Sequence, residues 1–243
     1  MNVSRPAETS ASSHSWLRRL QALLLGGLAS FAFAGPTDAQ TEAWRARFNR
    51  GVDRDAYLGD TGDYRRSEQS LVVDPAGNTY VADAAHDGAA WNFLVAKYGP
   101  DGAVLWSVLI DSPSAGTQHD WPTALALDPF GNVYVTGYSS GNPGGTDLLT
   151  VKLNSLGLQQ WAVLHNGVGN PEELGRAIAV DAAGNVLVAG ERSGNSTDYL
   201  VVKYDPSGVQ QWSATLDGAT HGEERLFGLA VDGSGSPYVT GWS

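Results

Sequence analysis

Hydrophobic residues in this chain fall in short bursts, each closed by polar or glycine-containing steps, and the bursts repeat. Residues 124–127 (Ala-Leu-Ala-Leu) form one burst and residues 133–137 (Val-Tyr-Val-Thr-Gly) the next, with Asp128-Pro129-Phe130-Gly131-Asn132 between them. A Gly, Ser and Asn-rich stretch (138–146) leads to a third burst (147–153). Asn154-Ser155-Leu156-Gly157 leads to a fourth (158–164), which contains Trp161. Bursts of this length bounded by turn residues predict β-strands, four to a period. No amphipathic helix of useful length is legible after residue 40.

The turns carry their own chemistry. An Asp at the first position can accept hydrogen bonds from backbone a few residues on, and Gly at the fourth can adopt the left-handed conformation. This pairing recurs at Asp74 with Gly77, Asp128 with Gly131, Asp181 with Gly184 and Asp232 with Gly235, so the Asp residues are 54, 53 and 51 apart. The same logic recurs between third and fourth strands, at Gly99-Pro100-Asp101-Gly102 and Asp205-Pro206-Ser207-Gly208. Two hairpins per period predict a four-stranded antiparallel sheet, with Gly131 and Gly184 at positive φ. As Ca²⁺ loops these turns are too short and offer too few carboxylates each.

One such sheet cannot bury both faces, so successive sheets must stack. Stacking four-stranded antiparallel blades about an axis gives an all-β β-propeller. Trp106, Trp161 and Trp212 occupy one position of the fourth strand, which predicts buried indoles filling the space between neighbouring blades. The segments Asn132-Val133-Tyr134-Val135-Thr136-Gly137, Val202-Lys203-Tyr204-Asp205 and Gln211-Trp212 resemble the bacterial seven-bladed β-propeller (SBBP) repeat family over about residues 69–243. The resemblance implies an exported or cell-surface bacterial protein and brings no catalytic motif with it. The first copy departs from the pattern at Asp83, where the others have Gly, and the last has Ser236-Pro237 in place of Asn-Val.

The expected organisation is a signal and cleavage region at 1–39, a strand and loop at 40–68, and propeller repeats at 69–243, with copies at about 69–110, 123–165, 176–216 and 226–243. The fourth copy reaches Ser243 after its second strand. The expectation is therefore an incomplete open arc of three blades plus a half-blade, with further repeats of the chain beyond it. A strand at 44–48, containing Trp44, could not seal the ring, because the final blade would still lack its third strand.

The amino terminus sets the expected compartment. Arg18 and Arg19 precede an apolar run at 20–34, and Ala32-Phe33-Ala34 supplies a cleavage pattern before Gly35, with Ala39 as a second site. This resembles a secretory signal peptide and is shorter than the roughly 20 residues that span a bilayer. A secreted, periplasmic or cell-surface location without a membrane span after cleavage is the expectation. The formal charge of −11, with no basic stripe, argues against nucleic-acid binding. The chain has no cysteine, which removes disulfides and thiol chemistry.

Chemistry, if present, belongs to the loops between second and third strands and between blades. The ligand-binding candidates are Asp87, His119, Asp120, Glu172, Glu173, Glu223 and Glu224, and His86, Asp111, Glu191 and His221 lie in the same loops. Carboxylates and histidines of this kind could hold a metal, calcium first because the ligands would be oxygens, or perform acid and base work. No spacing matches a metal motif, and no catalytic residue, metal site or cofactor is assigned from sequence. Lys97, Lys152 and Lys203 recur on the third strand, where a buried stem would carry the ammonium to the surface or a neighbouring carboxylate. Ala124-Leu125-Ala126-Leu127, Ala177-Ile178-Ala179-Val180 and Gly228-Leu229-Ala230-Val231 place small and apolar residues on the expected innermost strands. The expected function is a non-enzymatic scaffold for a protein or glycan partner; the alternative is a propeller enzyme, such as a quinoprotein-like dehydrogenase, lyase or glycan hydrolase, with an axial site.

Overall fold

The computed structural model describes residues 70–113, 119–142, 145–194, 196–218 and 222–242. The expected signal segment and the strand at 44–48 lie outside the described residues. Among the described residues, fourteen strands form four antiparallel sheets. Blade 1 holds β1 (Leu71–Val73), β2 (Thr79–His86), β3 (Trp91–Tyr98) and β4 (Val104–Ile110). Blade 2 holds β5 (His119–Leu127), β6 (Val133–Asn142), β7 (Gly145–Leu153) and β8 (Gln159–His165). Blade 3 holds β9 (Glu173–Val180), β10 (Val186–Ser193), β11 (Thr197–Tyr204) and β12 (Gln210–Leu216). A two-stranded sheet of β13 (Arg225–Val231) and β14 (Pro237–Trp242) follows. Strands pair in chain order within each sheet, and the first strands of successive sheets lie against one another. This is the all-β propeller arc of three four-stranded blades and a half-blade that the repeats predict.

The turns form as their chemistry requires. Asp128 Oδ1 accepts from the amides of Phe130 and Asn132, while Oδ2 accepts from Asn132 Nδ2 at 2.6 Å and Tyr134 OH at 3.1 Å. Asp74 repeats the set with Ala76, Asn78 and Tyr80. Gly131 and Gly184 have φ of 77° and 81°. The glycine closing each Val-x-Val-x-Gly strand has a different cause. A Cβ at Gly137 would collide with the Trp121 carbonyl, and one at Gly190 with that of Leu174, because the first strand bulges there.

Stacking then buries the middle strands on both faces. Tyr80, Phe93 and Val95 of blade 1 share a core with Val133, Val135, Leu149 and Val151 of blade 2. Tyr134 and Leu148 share the next with Val186, Val188, Leu200 and Tyr204 of blade 3. The lysines clasp adjacent blades: Lys152 Nζ lies over the Tyr134 ring and donates to Pro206 O at 3.1 Å, and Lys203 Nζ sits 3.3 Å from Asp181 Oδ2 and donates to Gly235 O.

Three expectations are corrected. The stretch 138–146 is not a loop for most of its length, since β6 runs to Asn142 and β7 starts at Gly145; Ser and Asn lower β-propensity, but the ladder is backbone chemistry and the pairing continues. First strands begin earlier than their apolar cores, so His119, Asp120 and Glu173 are strand residues and not loop residues, as is Glu191 at the far end of β10. The tryptophans are half-buried at Trp106 and Trp161 and 37% exposed at Trp212. Each of the first two donates its indole N–H to the next blade's turn, at Ser155 O and Pro206 O, with the ring against Gly157 or Gly208. Trp212 lies on a strand exposed along its whole length, and no such turn is described beside it.

Candidate functional site

Strand direction puts the second-to-third-strand loops and the blade-to-blade links at one end of the arc, opposite the Asp-Gly turns. Register then assigns the candidates to equivalent places. Counting eight residues back from Asp128, Asp181 and Asp232 gives Asp120, Glu173 and Glu224, and all three are 0% exposed. The end of each blade junction thus carries a buried carboxylate, a regularity hidden in the sequence by the change from Asp to Glu.

Each junction treats that carboxylate differently. Asp120 Oδ2 accepts from the Ser112 amide at 2.8 Å, and burial pushes its pKa up against the pull of hydrogen bonds. Glu173 Oε2 lies 2.6 Å from His165 Nδ1 and accepts from the Gly167 amide, with Arg192 Nε at 3.7 Å from Oε1. Among the described residues neither carboxylate oxygen of Glu224 has a hydrogen-bond partner, although its amide donates to Thr197 O at 2.7 Å. The ligand oxygens of Asp198, Asp217 and Glu224 lie within 4.8 Å of one another.

The other candidates are dispersed. Asp87 closes its own loop, accepting from Ala89 N, Ala90 N and Asn92 Nδ2; the amides of Ala90 and Ala89 hold its pKa below the ordinary carboxylate value. Glu191 pairs with Arg176 at 2.9 Å. Asp111, Glu172 and Glu223 are exposed or half-exposed, and the Glu172 carbonyl accepts from Ser193 N. His221 lies outside the described residues. The structure therefore brings Glu224 together with two acids that the sequence pattern did not single out, and separates the rest by junction. Asp198 was findable: five residues before Lys203, it matches Asp147 before Lys152 and Asn92 before Lys97.

His86 and His119 join an aromatic group at the blade 1 to blade 2 junction. Trp91 and Trp121 stack with centroids 5.2 Å apart and planes at 25°, and His86 meets Trp91 edge-on at 5.3 Å. His119 Nδ1 accepts from Trp91 N at 3.3 Å. Both indoles are half-buried. The positions equivalent to Trp91 are Thr146 and Thr197, and those equivalent to Trp121 are Leu174 and Arg225. The pair does not recur.

These features define a repeat protein of propeller class. Residues 107–145 match the family model described as SBBP, "Beta-propeller repeat", so the chain carries the repeat that its sequence resembles. No curated protein matches the sequence. Among solved structures, one described by assignment as a gluconolactonase is similar at 18% identity and a TM-score of 0.40, over 70% of this chain. This chain spans about half, 54%, of that one. A likeness at that level carries no argument about activity.

Proposed function

We propose that the protein is an exported propeller-repeat scaffold that binds a protein or glycan partner through the loop end of its blades. The observation that supports this reading is the stacked Trp91–Trp121 pair with His86 and His119 around it. What the fold needs from each blade recurs at fixed register; an aromatic pair present at one junction is surplus to the repeat. Half-exposed indoles bring large contact area at low entropic cost and stack on sugar rings or apolar side chains. The enzyme alternative needs unlike polar side chains from several blades aimed at one point. Asp87, Asp120, Glu173 and Glu191 are instead tied within their own loop, blade or junction.

The test is tryptophan fluorescence titrated with a panel of bacterial surface polysaccharides and with extracellular proteins. Binding is expected to shift the emission and to weaken at least tenfold in Trp121→Ala. Equal binding by the variant would remove this surface from the function.

A further inference from the structure

The three blade junctions are an internal comparison. A buried carboxylate without partners is costly, since its charge has lost hydration and gained nothing in return. At Asp120 the backbone amide of Ser112 answers that cost at one of the two oxygens, and at Glu173 the imidazole of His165 and the guanidinium of Arg192 do. At Glu224, equally buried, neither oxygen is hydrogen-bonded among the described residues. Two more carboxylates approach it: Asp198 at the start of β11 and Asp217 just after β12. Asp198 Oδ1 accepts from Ser196 Oγ at 2.9 Å.

We infer that Asp198, Asp217 and Glu224 form a binding site for one divalent cation of the calcium class at the junction of blade 3 with the β13–β14 sheet. Three carboxylates within 4.8 Å of one another repel unless a positive charge lies among them, and a buried Glu224 oxygen without a hydrogen-bond partner among the described residues is one of the three ligand atoms. The ligand set is all oxygen, which selects a hard ion. Ca²⁺ holds oxygens at about 2.4 Å, so ligands on opposite sides of it stand about 4.8 Å apart, whereas the Mg²⁺ shell is smaller and favours water. Access is available. Asp198 and Asp217 line an open cleft of about 590 Å³, from which water would complete the shell. Arg192 on the cleft wall is already engaged by Glu173 and by Val168 O at 2.9 Å. The ion would join three segments, tying the last sheet to blade 3. This stands apart from the aromatic junction and does not depend on it.

Terbium luminescence on the chelator-treated 243-residue chain tests the site, because Tb³⁺ replaces Ca²⁺ and is sensitised by nearby aromatics. Tyr199 is near enough for the charge of Glu224 to act on its phenol. The expected result is a saturable signal of one ion per chain, displaced by Ca²⁺ and not by equal Mg²⁺. Glu224→Gln and Asp198→Asn should each weaken it at least tenfold, while Asp232→Asn leaves it unchanged. Glu224→Gln also separates this role from a structural one: without metal it should unfold at the same or a higher temperature than the parent, having lost an unpaired buried charge. No sensitised signal in the parent, an undiminished signal in Glu224→Gln, or a lower metal-free midpoint for that variant would overturn the inference.

Discussion

At the residue scale the turn aspartates accept from the amides of the hairpin turns, and their protonation is a stability lever. Asp232 is held down to about 2 by the Ser234 hydroxyl and the Ser236 amide, with the Ser234 amide and Tyr238 hydroxyl adding to them. The Ser207 hydroxyl and Val209 amide lower Asp205. At Asp74 and Asp181 burial acts upward, and the hydrogen bonds led by the Asn78 and Asn185 side chains outweigh it. A carboxylate whose folded pKa lies below its unfolded value stabilises the fold above that unfolded value and loses the contribution as pH falls through the folded one. Urea stability should therefore fall between pH of about 4 and about 2, and Asp232→Asn should flatten that fall. Asp120, raised by burial, acts with the opposite sign. At Gly131, where φ is 77° and a Cβ would stand 3.5 Å from Ser155 Cβ, there is room for a side chain but not for its backbone conformation. Gly131→Val is expected to cost about 1 kcal/mol or more in urea unfolding.

At the scale of elements, a strand's worth depends on what stacks on it. Strand β8 is half-buried along most of its length, whereas β12, its equivalent, is exposed throughout. Trp161 packs on Gly208 and near Tyr134 and Tyr204. Trp161→Ala should thus cost about 3 kcal/mol, at the low end for a core indole, and Trp212→Ala less than about 0.5 kcal/mol. Urea denaturation of the two variants followed by far-UV circular dichroism checks the contrast. A soluble quencher should reach Trp212 before Trp161.

At the scale of the whole molecule, the arc leaves apolar surface on its last sheet. Phe227, Tyr238 and Trp242 are 75%, 61% and 56% exposed, and Leu216 on β12 is 59% exposed. Such surface, together with the open edge of β14 among the described residues, is a template for association. Sedimentation velocity should show mass rising with concentration, and Phe227→Ser with Trp242→Ser should reduce it. A monomer at all concentrations would mean that this surface is covered in solution.

The sequence by itself determined the blade. Turn chemistry at Asp128 and Gly131, strand bursts of fixed order and the near-constant spacing of the repeats are local or periodic properties, so hairpins, sheet size and the arc were legible from them. Positive φ at Gly131 and Gly184 followed from the same local rule. The end of β6 at Asn142 was not legible, because backbone pairing overrides the weak propensities of Ser and Asn. Nor was the fate of the acids. Whether Asp120, Glu173 and Glu224 are solvated or buried depends on the neighbouring blade, and whether they are answered by an amide, an imidazole or no described residue depends on residues six or more positions away in sequence. Only the tertiary structure decided that Asp198, Asp217 and Glu224 meet and that Trp91 stacks on Trp121, since each contact crosses between segments whose spacing carries no local signal.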